Sequence, residues 1–169
     1  MAFEHRLRVR FHDTDPAGIV FFANIFVYCH DAFEEMLRAV GLPLDELIRS
    51  REQILPLGHA EADFKKPFRH GKLVDVRIVV GKLSDRSMRL DYELRDDAGD
   101  LLATCSTVHV AVDPATGRST ALSPRLREAL EPHRAGSPSE VNRRHLDDQD
   151  AWTSRCQDAH DVDAGRRSG

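Results

Sequence analysis

The sequence predicts an α+β domain in which one long helix is wrapped by a curved antiparallel sheet of about five strands. Three observations carry that expectation. A strand-like alternation opens the chain, a broad apolar helical stripe follows from Asn24 to Val40, and four further strand patterns then run to Asp113. Strands gathered after a single helix, rather than alternating with helices, point away from a parallel α/β sheet.

Each element has its own signal. In "HRLRVRF", Leu7, Val9 and Phe11 alternate with Arg6, Arg8 and Arg10, the period-two pattern of a half-buried strand. The turn-rich "HDTDPAG" ends it. Asn24 is a suitable N-cap, and Ile25, Cys29, Ala32, Met36 and Val40 follow at helical spacing, widened by Phe26, Phe33 and Leu37. Gly41 and Pro43 stop that helix. "LPLGHAEADFKKPF" and "KLVDVRIVVGKL" read as strands, with Pro67 limiting how far the first can pair. "SMRLDYELRD" sets Met88, Leu90, Tyr92 and Leu94 against Arg89, Asp91, Glu93 and Arg95. "DDAGD" is a hairpin turn into "LLATCSTVHVAVD", and a short helix follows over residues 124–130.

With 169 residues the chain suits one domain with one core, expected over residues 1–133. Residues 134–169 mix charges with small polar residues and read as a disordered tail. A net charge of -4 argues against a nucleic-acid footprint, which needs a basic face. Cys29, Cys105 and Cys156 form neither a CxxC metal pattern nor an even disulfide framework, so a reducing cytoplasm is expected. "MAFEHRLRVRF" has no apolar signal region, and the run Ile19–Cys29 is far short of the ~20 residues of a membrane span. No GxSxG, GxGxxG, GxxxxGK or HExxH motif is present, and no metal site is expected.

Chemistry concentrates at Asp13 and Asp15, two carboxylates immediately before an apolar run. Asp-rich turns are common, so the pair fits a capped turn. It also fits a site: a carboxylate facing a helix N-terminus can attack an acyl group or activate water while backbone N–H groups hold the oxyanion.

"DTDPAGIVFFAN" resembles the signature of the 4-hydroxybenzoyl-CoA thioesterase family, whose fold is the hot dog. Together with "CHDAFEEML" and "LPLGHAEADFKKPFRHGK" it is most similar to the branch that hydrolyses 1,4-dihydroxy-2-naphthoyl-CoA. The resemblance spans roughly residues 4–130. It implies hydrolysis of an aromatic acyl-CoA to free acid and coenzyme A, with Asp15 as nucleophile or general base. Gly18 would let the backbone pass close to the thioester, and the Phe22 backbone N–H would polarise its carbonyl. Phe21, Asn24 and His59 would contact the substrate, and Arg86, Ser87, Lys65 and Lys66 would bind the coenzyme A phosphates.

No cofactor is expected, coenzyme A being part of the substrate. The resemblance also implies a homo-oligomer, dimer or tetramer, with sites between chains; the charge and hydropathy of the chain lead to the expectation of no nucleic-acid or membrane partner. Two departures bear on acyl preference: Ile25 stands where several relatives have Tyr, and His30 where many have Glu. A fatty acyl-CoA or acyl carrier protein thioesterase and a non-catalytic acyl-CoA-binding protein are the competing readings. A hot-dog dehydratase would place His five residues beyond its Asp, where this chain has Val20.

Overall fold

In a computed structural model, residues 1–135 are described. The expected tail beyond them lies outside the described residues. Five strands, β1 (Phe3–Arg8), β2 (Leu57–Phe64), β3 (Leu73–Leu83), β4 (Ser87–Asp96) and β5 (Leu101–Val110), form one sheet. Its order is β1-β3-β4-β5-β2, with all neighbours antiparallel. The long helix α1 (Asn24–Ala39) lies on one face, joined by short helices α2 (Leu44–Ser50) and α3 (Pro124–Leu130).

The core is the interface between α1 and the inner face of the sheet. Ile25, Cys29, Ala32, Phe33, Met36 and Leu37 are buried along the helix, against Val74, Val76, Ile78 and Val80 of β3 and Leu90, Tyr92 and Leu94 of β4. The β4 alternation puts Met88, Leu90, Tyr92 and Leu94 inside as the sequence predicts, while Arg89 on the opposite face is buried as well, 3% exposed. The opposite face carries a lattice of ion pairs, among them Arg6 with Asp75 (2.5 Å) and Arg77 with Glu93 (3.6 Å). A sheet apolar on one face and charged on the other needs only one covering layer.

The structure differs from the sequence expectations in four places. β1 ends at Arg8, and Phe11 is 79% exposed rather than packed inward. A 3-10 turn over Phe11–Asp13 redirects the chain, capped by Asp13 Oδ2 accepting from the Arg10 N–H at 2.8 Å. Asn24 is the first residue of α1 and not its N-cap, which is Ala23; its side chain donates instead of accepting. Tyr28 is buried although the apolar stripe leaves it out. Helix α2 has no counterpart in the sequence reading. Asp45 and Glu46 in its first turn and the Asp45–Arg49 pair four residues apart are the signals that mark it.

Candidate active site

The segment between β1 and α1 is a tight hairpin whose arms are Asp13–Asp15 and Ile19–Phe21. The Asp15 N–H donates to Ile19 O (2.9 Å), Thr14 bridges Val20, and the Phe21 N–H donates to Asp13 O (2.9 Å). At its tip the Gly18 N–H donates to Asp15 O, and Asp15 Oδ1 accepts from the Ala17 N–H at 2.8 Å. Gly18 has φ +73°, which a side chain would strain, while a Cβ there would meet no atom within 4 Å. The backbone conformation of the tip is what requires glycine here.

The hairpin leads directly into α1. The Asn24 and Ile25 N–H groups turn back to Phe21 O and Phe22 O. The Phe22 N–H itself has no acceptor among the described residues. Phe21 and Phe22 stack at a tilt, ring centroids 4.6 Å apart, and are 44% and 62% exposed. Exposed aromatic surface therefore lies beside a free helix-start N–H, on the same loop as Asp15.

Asp13 is the joint of this construction. Besides the Arg10 N–H, its Oδ2 accepts from the Tyr28 hydroxyl at 2.9 Å; its backbone O accepts from both the Phe21 N–H and the Asn24 side-chain amide at 2.9 Å. His12 Nε2 lies 3.3 Å from its Oδ1. Burial, then the bond to Asp13, pushes the Tyr28 hydroxyl pKa well up, so Tyr28 stays a neutral donor. The sequence points to Asp15 but gives no sign that Tyr28, fifteen residues beyond Asp13, holds Asp13 in place.

The hairpin rests on the segment after β2: Ile19 bridges Arg69, and the Val20 N–H donates to Phe68 O at 3.0 Å. Next to it is a pocket of about 250 Å³ lined by Lys66, Phe68, Arg69, Lys72, Asp96 and Asp97 among others. Lys65 and Lys66 both donate backbone N–H groups to Leu102 O, and Lys66 Nζ pairs with Asp100 at 2.6 Å. These lysines share one end of the sheet with Asp15.

Arg86 and Ser87 do not. Arg86 lies in the β3–β4 turn and Ser87 opens β4 at the other end, separated from Asp96 by the length of β4, ten residues or about 30 Å. The Ser87 hydroxyl is held by Ser84 Oγ at 2.7 Å, and Arg86 Nη1 reaches Ser119 Oγ at 3.3 Å. His59 is also apart. On β2 it pairs with Val108, so it faces away from α1, with Nε2 3.6 Å from Glu61 Oε2. Glu61 Oε1 in turn takes Ser106 Oγ (2.7 Å) and Arg89 Nη2 (3.1 Å), and Arg89 Nε donates to Asp91 (2.7 Å). The structure thus brings Asp15, Gly18, Phe21, Phe22 and Asn24 together, with Lys65 and Lys66 at the same end; His59, Arg86 and Ser87 lie elsewhere in the chain.

A second polar group was not foreseen. Under α1, His109 Nδ1 lies 3.1 Å from Leu55 O, its Nε2 3.3 Å from Thr107 Oγ1, and Thr107 Oγ1 3.2 Å from the Tyr92 hydroxyl. Phe33 stacks on the imidazole at 4.9 Å. Burial lowers the His109 pKa, the Leu55 carbonyl opposes that, and the charge of His30 adds to it. A neutral ring donating from Nδ1 and accepting at Nε2 satisfies the chain. Among the described residues no cluster of three or more His, Cys, Asp or Glu side chains could hold a metal ion, and no helix is long and apolar enough to cross a membrane.

Comparison with known proteins agrees with this architecture. The model of the Thioesterase-like superfamily matches residues 9–130. A 1,4-dihydroxy-2-naphthoyl-CoA hydrolase of Rippkaea orientalis is 36% identical over 124 residues, 72% of this chain and 90% of that protein. The crystal structure of a 1,4-dihydroxy-2-naphthoyl-CoA thioesterase from Synechocystis superposes with a TM-score of 0.73 at 30% identity, covering 77% of this chain and 96% of that one. A gentisyl-coenzyme A thioesterase superposes with a TM-score of 0.69 at 28% identity, covering 75% and 98%. One long helix under a five-stranded antiparallel sheet, with the "DTDPAGIVFFAN" hairpin at the helix start, places the chain in the Thioesterase-like superfamily, with the hot-dog fold.

Proposed function

We propose that this protein is a thioesterase that hydrolyses an aromatic acyl-CoA, of the dihydroxynaphthoyl or hydroxybenzoyl type, to the free acid and coenzyme A. One observation carries the reading: the hairpin bearing Asp15 runs into α1 so that the Phe22 N–H is left without an acceptor among the described residues, beside two exposed phenylalanine rings. The sequence similarity to hydrolases of such thioesters supports the substrate class.

The chemistry needs little apparatus, because a thiolate is a good leaving group. The thioester carbonyl oxygen accepts from the Phe22 N–H, strengthened by the positive end of α1. Asp15 then acts in one of two ways. As nucleophile it forms a mixed anhydride, expels the coenzyme A thiolate and is regenerated by water; as general base it takes a proton from the water that attacks the carbonyl. Both routes consume one water and yield one acid and one thiol, with no cofactor. The Phe21 and Phe22 rings offer stacking surface to a flat acyl group.

The phosphate-binding roles of Lys65, Lys66, Arg86 and Ser87 belong to the same reading. Because Arg86 and Asp15 lie at opposite ends of one sheet, Arg86 serves a site only through a second chain. The free edge of β2 offers the place for a homo-oligomer to form, since an open strand edge invites pairing. A soluble small-molecule substrate and free cysteines suit the cytoplasm.

Thiol release from naphthoyl, hydroxybenzoyl, phenylacetyl and fatty acyl thioesters of coenzyme A tests the proposal. It predicts kcat/KM highest for an aryl thioester. A fatty acyl preference overturns the substrate class, and no cleavage of any of them overturns the activity.

A further inference from the structure

We infer that Asp13 and Tyr28 are positioning residues, a clamp that fixes the Phe22 N–H relative to the Asp15 carboxylate. The inference rests on the thioesterase reading of this site. Closing the turn does not require Tyr28. Thr14 Oγ1 already donates to Phe11 O at 2.7 Å, and the hairpin arms are joined by backbone bonds from Asp15 to Ile19 and from Phe21 to Asp13. What the helix adds is two further bonds to the same residue: the Asn24 amide to Asp13 O and the Tyr28 hydroxyl to Asp13 Oδ2. They come from the first and second turns of α1.

Asp15 is two residues along one arm from Asp13, while Phe22 follows Phe21 on the other. The angle between hairpin and helix therefore sets where the carboxylate stands against the N–H. Among the described residues, the side-chain hydrogen bonds that tie that angle to the helix are the two at Asp13. The Asp13–Tyr28 bond is charge-assisted, and Tyr28 is 3% exposed, so water competes with it weakly. The Asp13 carboxylate, 14% exposed, also sits beyond the start of a helix with no acid in its first turn, where a negative charge is favourable.

Misplacing two reacting groups by a fraction of an ångström lowers the chemical step and leaves substrate binding largely in place. The test compares steady-state kinetics and thermal melting of the wild type, Tyr28→Phe, Asp13→Ala, Asp13→Asn and Asp15→Asn on the best aryl thioester. Tyr28→Phe should lower kcat about tenfold with KM within about twofold. Asp13→Ala should lower kcat further, and Asp13→Asn should recover part of that loss, because an amide oxygen can still accept from Tyr28.

Rates are taken per folded protein. If Tyr28→Phe melts lower yet keeps the wild-type kcat, the clamp is structural only and the inference falls, even should Asp13→Ala fail to fold. If the wild type cleaves nothing, the thioesterase reading falls, and the clamp falls with it. A dead Asp15→Asn beside fully active Tyr28→Phe and Asp13→Asn overturns the clamp alone.

Discussion

Asp15 and Arg86 lie at opposite ends of the same sheet. The loop of Asp15 follows β1 and bridges to Arg69, whereas Arg86 precedes β4 in the turn from β3. On the proposed thioesterase reading, a coenzyme A phosphate held by Arg86 would serve the thioester at the Asp15 of another chain. The consequence is genetic complementation between two inactive variants.

Chains carrying Asp15→Asn and chains carrying Arg86→Ala, mixed and reassembled, should recover about a quarter of the wild-type kcat/KM. Half of the random pairs are hybrids, and each hybrid has one site complete out of two. The readout is the rate at substrate well below KM. No recovery beyond the sum of the separate variants means that Arg86 does not serve a neighbour's site.

His109 makes the fold acid-sensitive. Its pKa is lowered in the fold, chiefly by burial, while in the unfolded chain it lies near the usual 6.5. Below about 6.5 the unfolded state binds more protons, so the stability that the neutral ring contributes is present above that pH and is lost as pH falls through the lowered folded value. The slope from this residue reaches at most about 1.4 kcal/mol per pH unit. Denaturant titrations between pH 7.5 and about 5 should show a shallower decline for His109→Gln. An unchanged slope means that other groups govern acid stability.

Gly81 is small because of Asp91. A Cβ at Gly81 would come within 2.1 Å of Asp91 Oδ2, and that carboxylate is committed to Arg89 through its other oxygen at 2.7 Å. Gly81→Ala should destabilise the fold by about 1–3 kcal/mol, the usual cost of overpacking. The penalty should shrink in an Asp91→Ala background, a coupling that a double-mutant cycle measures by equilibrium unfolding. Equal penalties in both backgrounds would mean that Asp91 is not the obstacle.

Much of this molecule was legible in its sequence. In β4 the burial of Met88, Leu90, Tyr92 and Leu94 follows their alternation, and its ends at Ser87 and Asp96 coincide with the turn residues; only the burial of Arg89 departs from the pattern. The stripe from Ile25 to Leu37 is the buried side of α1 because helical spacing alone sets which residues face the sheet. The hairpin at Asp15 was visible through its Pro-Gly signals and a family-like motif.

What remained hidden depended on contacts far apart in the chain. Phe11 continues the alternation of β1, but the Asp13 carboxylate turns the backbone first, and no local pattern reveals that cap. Tyr28 falls off the apolar stripe, and its reason for being buried is a partner fifteen residues earlier. The cations Lys66 and Arg86 look equivalent in the sequence; only the register of β2 against β5, and of β5 against β4, puts them at opposite ends.

The most direct measurement is thiol release from the preferred aryl-CoA by the wild type and by Asp15→Asn, with coenzyme A binding and melting followed in both. The account predicts that the variant binds coenzyme A and melts like the wild type, while kcat falls by at least about a hundredfold. A variant that keeps kcat within a few-fold of the wild type would contradict the assignment of Asp15 and, with it, the mechanism built on this hairpin.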